Sequence, residues 1–338
     1  MTAMIQQPDT AALRDREQHI RPVNLRTDLA ALADLIELVF AANMDEGGRA
    51  AIREMRTLSR MGAGMTLFSR LNMMTQGISM GYVWMEDTRL VGNVSIYPVE
   101  YPYHTGHTWI IANVGVHPDF RRMGIAHQLM ETTLQNIRGR GGKEVILQVD
   151  YDNVGAVALY ERLGFVRQRA WVTWRRSRMS AVPRNQPSDD FFITRRRPAE
   201  WRDEYALVER LRSSERGGIG WTKPLHEHYF HKSFWQRLTD WFTMQSVERL
   251  IIRDDDNQLK TVLWATHSPG GSSTRMNLFV DAVQYPAETD AMLHYALRRF
   301  RNSAMLLEHP LDDEPVTDLL KKYRFTQARR VWHMVKWL

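Results

Sequence analysis

The fold is decided by the stretch Val114-Gly-Val-His-Pro-Asp-Phe-Arg-Arg-Met-Gly-Ile-Ala-His-Gln-Leu-Met130. It continues an apolar run, Trp109-Ile-Ile-Ala112, which is typical of a buried strand. Pro118 lacks the N–H group that a sheet needs, so the strand ends before it. Apolar residues then recur close to a helical period, at Ile125, Leu129, Leu134 and Ile137. The stretch therefore predicts a strand, a tight turn and a helix that runs from Arg122 to Gly139.

The turn before this helix has the properties of a phosphate-binding loop. The first turn of a helix carries backbone N–H groups without intrahelical partners and the positive end of the helix dipole. Gly124 has no side chain and Ala126 has a small one, so an anion can approach these donors. Arg121 and Arg122 add guanidinium groups that suit phosphate oxygens, although Arg121 could equally face solvent. We predict a diphosphate cradle formed by the amides of Arg122, Met123, Gly124, Ile125, Ala126 and His127.

Two common nucleotide-binding loops do not fit this turn. A Walker loop requires Gly-Lys-Ser/Thr, and a Rossmann fingerprint requires Gly-x-Gly-x-x-Gly. The pattern Arg121-x-x-Gly124-x-Ala126 after Val116-x-Pro118 instead resembles the acetyl-CoA pyrophosphate loop of the GNAT N-acetyltransferase superfamily. The alternative is a helix that merely follows a strand.

The composition is that of a soluble globular protein large enough for two domains, with 338 residues and 43% apolar content. We find neither a run of 18 or more apolar residues nor an N-terminal signal pattern, and we therefore expect a cytoplasmic protein without a membrane span. The absence of cysteine excludes disulfides and an acyl-cysteine intermediate.

The net charge of +6 is mildly basic. The densest basic run, Arg195–Arg197, could form a phosphate or nucleic-acid patch, but we favour a solvated strand edge and do not expect nucleic-acid binding. A polyanionic partner such as coenzyme A also suits this charge.

Apolar periods and turn signals predict the order β-α-α-β-β-β-α-β-α-β over residues 20 to 175, with Thr27 or Asp28 capping the first helix. This is the GNAT order, an α/β (α+β) fold with a mixed sheet. From Val247 the second half echoes the first, since Leu319-Leu-Lys-Lys-Tyr-Arg-Phe325 corresponds to Leu159-Tyr-Glu-Arg-Leu-Gly-Phe165. We predict a flexible segment 1–18, a catalytic GNAT domain 19–175, a linker 176–190 and a degenerate GNAT-like domain 191–338.

The second copy departs from the first where chemistry is expected. Its turn, Asp281-Ala-Val-Gln-Tyr-Pro-Ala-Glu288, lacks Arg-x-x-Gly-x-Ala, and its two carboxylates would repel a pyrophosphate. Leu320 replaces Tyr160. We expect this copy to support the first and to shape an acceptor cleft, not to bind acetyl-CoA in the usual way. In tandem GNAT families such as the mycothiol synthases one half can be silent, and this copy resembles such a half.

The resemblance implies roles for residues of the strand and of a later helix, which is predicted over Asn153–Leu163. In GNAT proteins the strand of Val114, Gly115 and Val116 bulges and leaves its neighbour, which frees backbone groups for the pantetheine arm and the acyl carbonyl; Gly115 would ease the bulge. The match to Asn153-x-x-Ala-x-x-Leu-Tyr160 implies that Tyr160 is the general acid for the thiolate and that Asn153 contacts the cofactor. Ordinary packing of these residues is the alternative.

The general base and the acceptor are left open. Family members that acetylate protein N-termini often carry glutamate where this chain has Gln148, whose amide cannot take a proton. A water chain is one alternative, and the others are Glu100, His104, His107 and Asp150. We expect no metal at His226-x-His228-x-x-His231, because this spacing does not place the three rings on one helical face. The predicted function is an acetyl-CoA-dependent N-acetyltransferase that acts by direct attack of an amine, and we expect the amine to belong to a small molecule. The alternatives are a protein lysine acetyltransferase and a non-catalytic acyl-CoA sensor or scaffold.

Overall fold

A computed structural model describes residues 19–44, 46–60, 80–99, 107–182, 191–212, 218–219, 225–231, 246–267 and 273–338. Glu100, His104 and the greater part of the predicted linker 176–190 lie outside these residues. The chain forms two compact units. Unit 1 comprises Met1–Leu147, Gly155–Val166 and Val335–Leu338, and unit 2 comprises Gln148–Val154 and Arg167–Met334.

The sheet of unit 1 has the order β1-β2-β3-β4-β5. Its strands are β1 (Ile20–Pro22), β2 (Tyr82–Glu86), β3 (Arg89–Pro98), β4 (Thr108–Val116) and β5 (Glu144–Asp150), the last of which ends in unit 2. The first four strands are antiparallel neighbours, whereas β5 runs parallel to β4. A parallel pair needs a crossover, and the helix predicted after the phosphate loop supplies it.

Among the described residues, four helices are associated with this sheet: α1 (Leu29–Phe40), α2 (Glu46–Arg60), α3 (Ile125–Gly139) and α4 (Val154–Arg162). Helices α1 and α3 cover opposite faces. A Cβ atom on Gly92 of β3 would lie 3.0 Å from Ile125 Cγ2 of α3. The next residue, Asn93, points to the other face, where a Cβ atom on its register partner Gly115 would lie 3.4 Å from Phe40 Cε2 of α1.

The strands of unit 2 are paired in the order β7-β8-β9-β10-β11-β6-β12. Its strands are β6 (Val166–Arg176), β7 (Thr194–Arg195), β8 (Ser246–Arg253), β9 (Leu259–His267), β10 (Ser273–Val280), β11 (Ala304–Pro310) and β12 (Thr326–Trp337). Its helices are α5 (Trp201–Leu211), α6 (Pro286–Arg299) and α7 (Glu314–Lys322). Strands β10 and β11 are parallel, and β6, the closing strand predicted for the first copy, pairs antiparallel with β11. The four C-terminal residues belong to unit 1, where the Leu338 N–H donates to the Lys143 carbonyl at 2.9 Å.

The predicted repeat is visible in the backbone. The Phe165 N–H donates to the Tyr160 carbonyl at 3.0 Å, and the Phe325 N–H donates to the Leu320 carbonyl at 2.9 Å. Gly164 precedes the first of these phenylalanines with φ 84°, and Arg324 precedes the second with φ 61°. The two helices therefore end in the same way, and the predicted mixed α/β fold class is confirmed.

Some predicted boundaries were wrong. The helix expected from Arg122 begins at Ile125, because Arg122 and Gly124 have left-handed φ values of 66° and 82°. The helix expected from Asn153 begins at Val154. Asn153 is thus the residue that immediately precedes the helix of Tyr160.

Asp28 lies at the start of α1 as predicted, but its side chain does not cap the helix. Its carboxylate accepts hydrogen bonds from Arg21 Nη1 at 2.6 Å and from the Asn24 N–H at 2.7 Å. These bonds hold the pKa of Asp28 below its ordinary value, although burial opposes the shift. Asp28 thus ties β1 to the segment before α1.

Candidate functional site

Strand β4 contains a β-bulge at its second half. Gly115 pairs with Asn93 and Ala112 pairs with Ser95, so Asn113 and Val114 together oppose a single residue of β3. Asn113 adopts φ 52°, a conformation that asparagine tolerates better than most residues, and its amide donates to Ser95 Oγ at 3.3 Å. The bulge is therefore present; Asn113 takes the left-handed conformation, and Gly115 is the first paired residue after it.

Strands β4 and β5 separate beyond Ile111. Their pairing joins Thr108–Ile111 to Glu144–Leu147, whereas β4 continues to Val116. Residues Val114, Gly115 and Val116 therefore lie past the paired segment. Among the described residues, the edge of β4 that faces β5 has no backbone pairing there. Backbone groups on such an edge can hydrogen-bond an extended ligand as a neighbouring strand would.

The loop after β4 turns the chain into α3 through two left-handed residues, Arg122 and Gly124. Arg121 Nε donates to the Val116 carbonyl at 3.2 Å, which ties the loop to the end of β4. Sequence left open whether Arg121 faces a ligand or solvent, and this bond fixes its Nε toward the strand. A Cβ atom on Gly124 would meet only Gln128 Nε2, at 3.8 Å, so the approach to the helix start is open.

The N–H groups of residues 122 to 127 are available to a ligand. Among the described residues, no backbone carbonyl accepts from any of them, and the first such bond runs from the Gln128 N–H to the Gly124 carbonyl at 3.1 Å. Met123 is 64% exposed, whereas Ile125 is buried and anchors the helix against the sheet. The His127 ring lies near Glu131, one turn along α3, at 3.4 Å. Free donors, a helix start and an unobstructed glycine fit a diphosphate.

Tyr160 of α4 has a buried side chain, 6% exposed, whose ring packs edge-on against Phe165 at 5.9 Å between centroids. Burial raises the pKa of its hydroxyl well above the ordinary value. The phenol is therefore protonated at neutral pH and can donate a proton or a hydrogen bond. Asn153, just before α4, is exposed, and its N–H donates to the Asp150 carbonyl at 2.9 Å.

Gln148 and the two described base candidates, Asp150 and His107, have other partners or lie far from the bulge. The Gln148 amide lies 2.9 Å from His333 Nε2, and burial lowers the pKa of His333 to about 3, so the neutral ring accepts the amide hydrogen. Asp150 is ion-paired with Arg329 at 2.7 Å. His107 precedes β4, about 20 Å along the strand from Val114, and its Nδ1 lies 3.2 Å from the Gly141 carbonyl oxygen.

Asn93 is a polar residue of β3 that the sequence analysis missed. It is fully buried, and neither atom of its amide has a hydrogen-bond partner among the described residues. It lies opposite Gly115, where a Cβ atom would be 3.5 Å from Asn93 Oδ1. An unpaired buried amide costs about 1–3 kcal/mol, so its presence beside the bulge points to a ligand. An asparagine inside the apolar strand Leu90-Val-Gly-Asn-Val94 was the available signal.

In unit 2, protein side chains occupy the region between β10 and β11, which corresponds to the separation of β4 and β5 in unit 1. Strand β10 has no bulge against β9, and its pairing with β11 ends at Met276 and Leu307. Beyond that point the fully buried Arg212 donates through Nη2 to the Leu278 carbonyl and to His309 Nδ1, both at 2.9 Å.

The Arg212 guanidinium also stacks on Trp171 and Phe279, with 5.1 and 5.2 Å to the ring centroids. His309 Nε2 lies 2.7 Å from Asp313 Oδ2, which continues the polar chain. Leu320, which takes the position of Tyr160 in the repeat, is fully buried. The second copy therefore differs from the first in its turn, in its strand and in the side chains between its separating strands.

Within the described residues, no three His, Cys, Asp or Glu side chains are grouped so as to hold a metal ion. The side chain of His228, one of the three predicted histidines, lies outside the described set. No described helix has both the length and the apolar character that crossing a membrane requires.

Residues 52–165 match the protein-family model described as the acetyltransferase (GNAT) family. This segment belongs to the GNAT family. A relative, mycothiol acetyltransferase of Geodermatophilus obscurus, is 36% identical over 94 residues, which are 27% of this chain and 30% of the relative. The aligned part of this chain thus spans less than a third of that relative's length.

Among the solved structures that resemble this chain, two align with 94% of its length and with nearly all of their own. A GCN5-related N-acetyltransferase from Sphaerobacter thermophilus has a TM-score of 0.61 at 14% identity and is covered to 95% of its length by 94% of this chain. A tandem GNAT protein from the clavulanic acid biosynthesis pathway has a TM-score of 0.52 at 14% identity, with 94% of this chain and 98% of that protein covered. At these identities the likeness establishes the fold, which is a tandem GNAT fold as predicted.

Proposed function

We propose that the protein is an acetyl-CoA-dependent N-acetyltransferase in which the first GNAT copy transfers the acetyl group directly to an amine. One observation carries the proposal: the bulged end of β4, unpaired beyond Ile111, leads within one loop to the free amides around Gly124. A ligand that combines an extended amide-containing arm with a diphosphate matches this order of donors. Coenzyme A has this composition.

Each part of the site has a chemical task in this proposal. The amides of residues 122 to 127 bind the diphosphate, and the free edge of Val114–Val116 aligns the arm, which lowers the entropic cost of reaction. A backbone N–H of the bulged strand stabilises the negative charge that develops on the acyl oxygen. Tyr160 protonates the departing sulfur. The thioester supplies the acetyl group, and without cysteine the chain offers no thiol to carry it.

The acceptor is proposed to be a small molecule bearing a primary amine. Gln148 cannot act as a base, and its amide is bonded to His333, so the ammonium proton is proposed to leave through water. Asn93 is proposed to hydrogen-bond the bound substrates, because its buried amide has no partner among the described residues. Asn153 is proposed to contact the cofactor from the start of α4.

The test is release of free thiol from acetyl-CoA by the purified full chain, measured across polyamines, amino sugars, amino acids and a lysine peptide. We expect release with at least one small amine. Tyr160→Phe should lower kcat about 100-fold or more, the usual contribution of a general acid, while calorimetry gives an unchanged Kd for coenzyme A.

Different outcomes would contradict different parts of the proposal. Cofactor binding without turnover on any amine, and without an effect of Tyr160→Phe, would favour the acyl-CoA sensor. Turnover of the lysine peptide alone would exclude the small-molecule acceptor but keep the transferase. Failure of coenzyme A to bind would remove the proposal altogether.

A further inference from the structure

The basic run Arg195–Arg197 borders a cavity in unit 2. The cavity has a volume of about 560 Å³, and its lining includes Arg195, Arg196, Glu248, Arg249 and Arg299. This volume falls within the range of about 300–1,000 Å³ that is typical of small-molecule sites. Sequence alone favoured a solvated strand edge for this run, and the cavity gives two of its three arginines a different environment.

This cavity is not a remnant of the second copy's phosphate loop. Arg299 is the last residue of α6, whereas the turn that corresponds to the Gly124 loop precedes the first residue, Pro286. A helix of 14 residues is about 20 Å long. The two ends of α6 therefore present separate sites.

The cavity has an excess of positive charge. Arg196 Nε and Arg249 Nη1 both lie 2.8 Å from Glu204 Oε2, and Glu204 is fully buried behind them. Arg195 and Arg299 both pair with Glu248. Four guanidinium groups thus face two carboxylates, which leaves a net charge of +2 around one small volume and favours an anion.

Glu248 orients the two outer arginines. Its side chain is 7% exposed, and its carboxylate accepts from Arg195 Nε at 2.8 Å and from Arg299 Nε at 2.9 Å. Because both contacts use Nε, these bonds to Glu248 leave the terminal Nη groups of the two arginines available to a ligand. The Arg195 and Arg299 side chains are 69% and 37% exposed, so these forks can meet a ligand. Although burial opposes it, the bonds from Arg299 and Arg195 hold the pKa of Glu248 below its ordinary value.

An aromatic wall completes the cavity. Phe300 and His267 both line it, with ring centroids 6.1 Å apart, and His267 Nδ1 is buried without a partner among the described residues. The wall offers apolar area for a ring and one polar atom to orient it. A bare inorganic ion would leave this part of the cavity unused.

We propose that this cavity binds a small phosphorylated molecule, with a phosphate monoester dianion between Arg195 and Arg299 and a ring-bearing body against Phe300 and His267. The dianion matches the excess charge of +2 given by the two ion-pair clusters. The guanidinium forks match the geometry of phosphate oxygens. The proposal does not depend on acetyl transfer by the first copy.

The test is calorimetric titration of the full chain with adenosine monophosphate, with adenosine and succinate as comparison probes. We expect the monophosphate to bind, adenosine and succinate not to bind, and Arg195→Gln and Arg299→Gln each to weaken binding at least tenfold. Arg197→Gln is the matched control, because this neighbour in the same run is exposed and is not among the lining residues. Gly124→Ala should leave binding unchanged, which separates this cavity from the diphosphate cradle.

Absence of monophosphate binding, binding of succinate in its place, or equal weakening by Arg197→Gln would each overturn the proposal. Thermal melting of each variant checks folding. If Arg299→Gln does not fold, Arg195→Gln decides alone, since that side chain is largely exposed.

Discussion

Replacing Gly124 by alanine tests the diphosphate cradle with a single methyl group. Gly124 has φ 82°, and the added Cβ atom would meet only Gln128 Nε2, at 3.8 Å. The methyl group therefore enters the open space at the start of α3 without a clash inside the protein. If a diphosphate binds there, the methyl group takes up part of its space.

Two costs follow, and they can be measured separately. A left-handed conformation costs a residue with a Cβ atom about 1–2 kcal/mol, so the free energy of unfolding should fall by that amount. Loss of one hydrogen bond to a charged oxygen costs about 1.5–3 kcal/mol, which corresponds to an affinity loss of about 10- to 100-fold. Gly141 provides the matched control, because it has φ 80° and nothing within 4 Å of its Cβ position.

The assays are urea unfolding and calorimetric binding of acetyl-CoA, made on Gly124→Ala and Gly141→Ala in parallel. Both variants should lose similar stability, and only Gly124→Ala should lose affinity and raise KM. Unchanged affinity in Gly124→Ala would refute the cradle. Equal affinity losses in the two variants would attribute the effect to backbone strain.

Three further predictions concern buried polar groups. Asn93→Val should change the free energy of unfolding by less than about 1 kcal/mol, because the lost amide has no protein partner among the described residues. The same substitution should lower kcat/KM at least tenfold. A large loss of stability with full activity would contradict the role proposed for Asn93. Arg212→Ala should cost about 3–5 kcal/mol in urea unfolding, because it removes one member of a buried charged network, and a loss below about 1 kcal/mol would show that the network contributes little. Burial lowers the pKa of His309 to about 4 and of His333 to about 3, from 6.5. The unfolded chain therefore binds more protons below pH 6.5, and stability should fall as the pH falls, by about 1.4 kcal/mol per pH unit for each ring; unfolding energies that stay constant between pH 6.5 and 5 would refute this.

The sequence predicted those features that are local or periodic. The loop Arg121-x-x-Gly124-x-Ala126, the order of strands and helices and the repeat were all readable, because each depends on spacing within one segment. The bulge was anticipated only through family resemblance, and nothing in the sequence singled out Asn113 as its left-handed residue. Glycine is the usual sign of such a conformation, whereas Asn113 achieves it with the help of a hydrogen bond to Ser95.

Contacts between residues far apart in the chain could not be predicted from the sequence. Nothing in the segment around Arg212 indicates that its guanidinium reaches Leu278 and His309, 66 and 97 residues away. The environment of Arg195 likewise depends on Glu248, which lies 53 residues later on another strand. Side chains whose partners come from distant segments look, in a sequence, like ordinary surface charges.

The backbone passes from unit 1 into unit 2, back for Gly155–Val166, and returns once more for Val335–Leu338. A cut between residues 182 and 191 would leave the upstream fragment with β6 but without β11, its pairing partner, and without the terminal residues that bond to Lys143. Gene fission at this position should therefore yield two insoluble products. Deletion of the downstream repeat would therefore remove the pairing partner of β6 and the Leu338 contact to Lys143, so we expect the two repeats to be retained together.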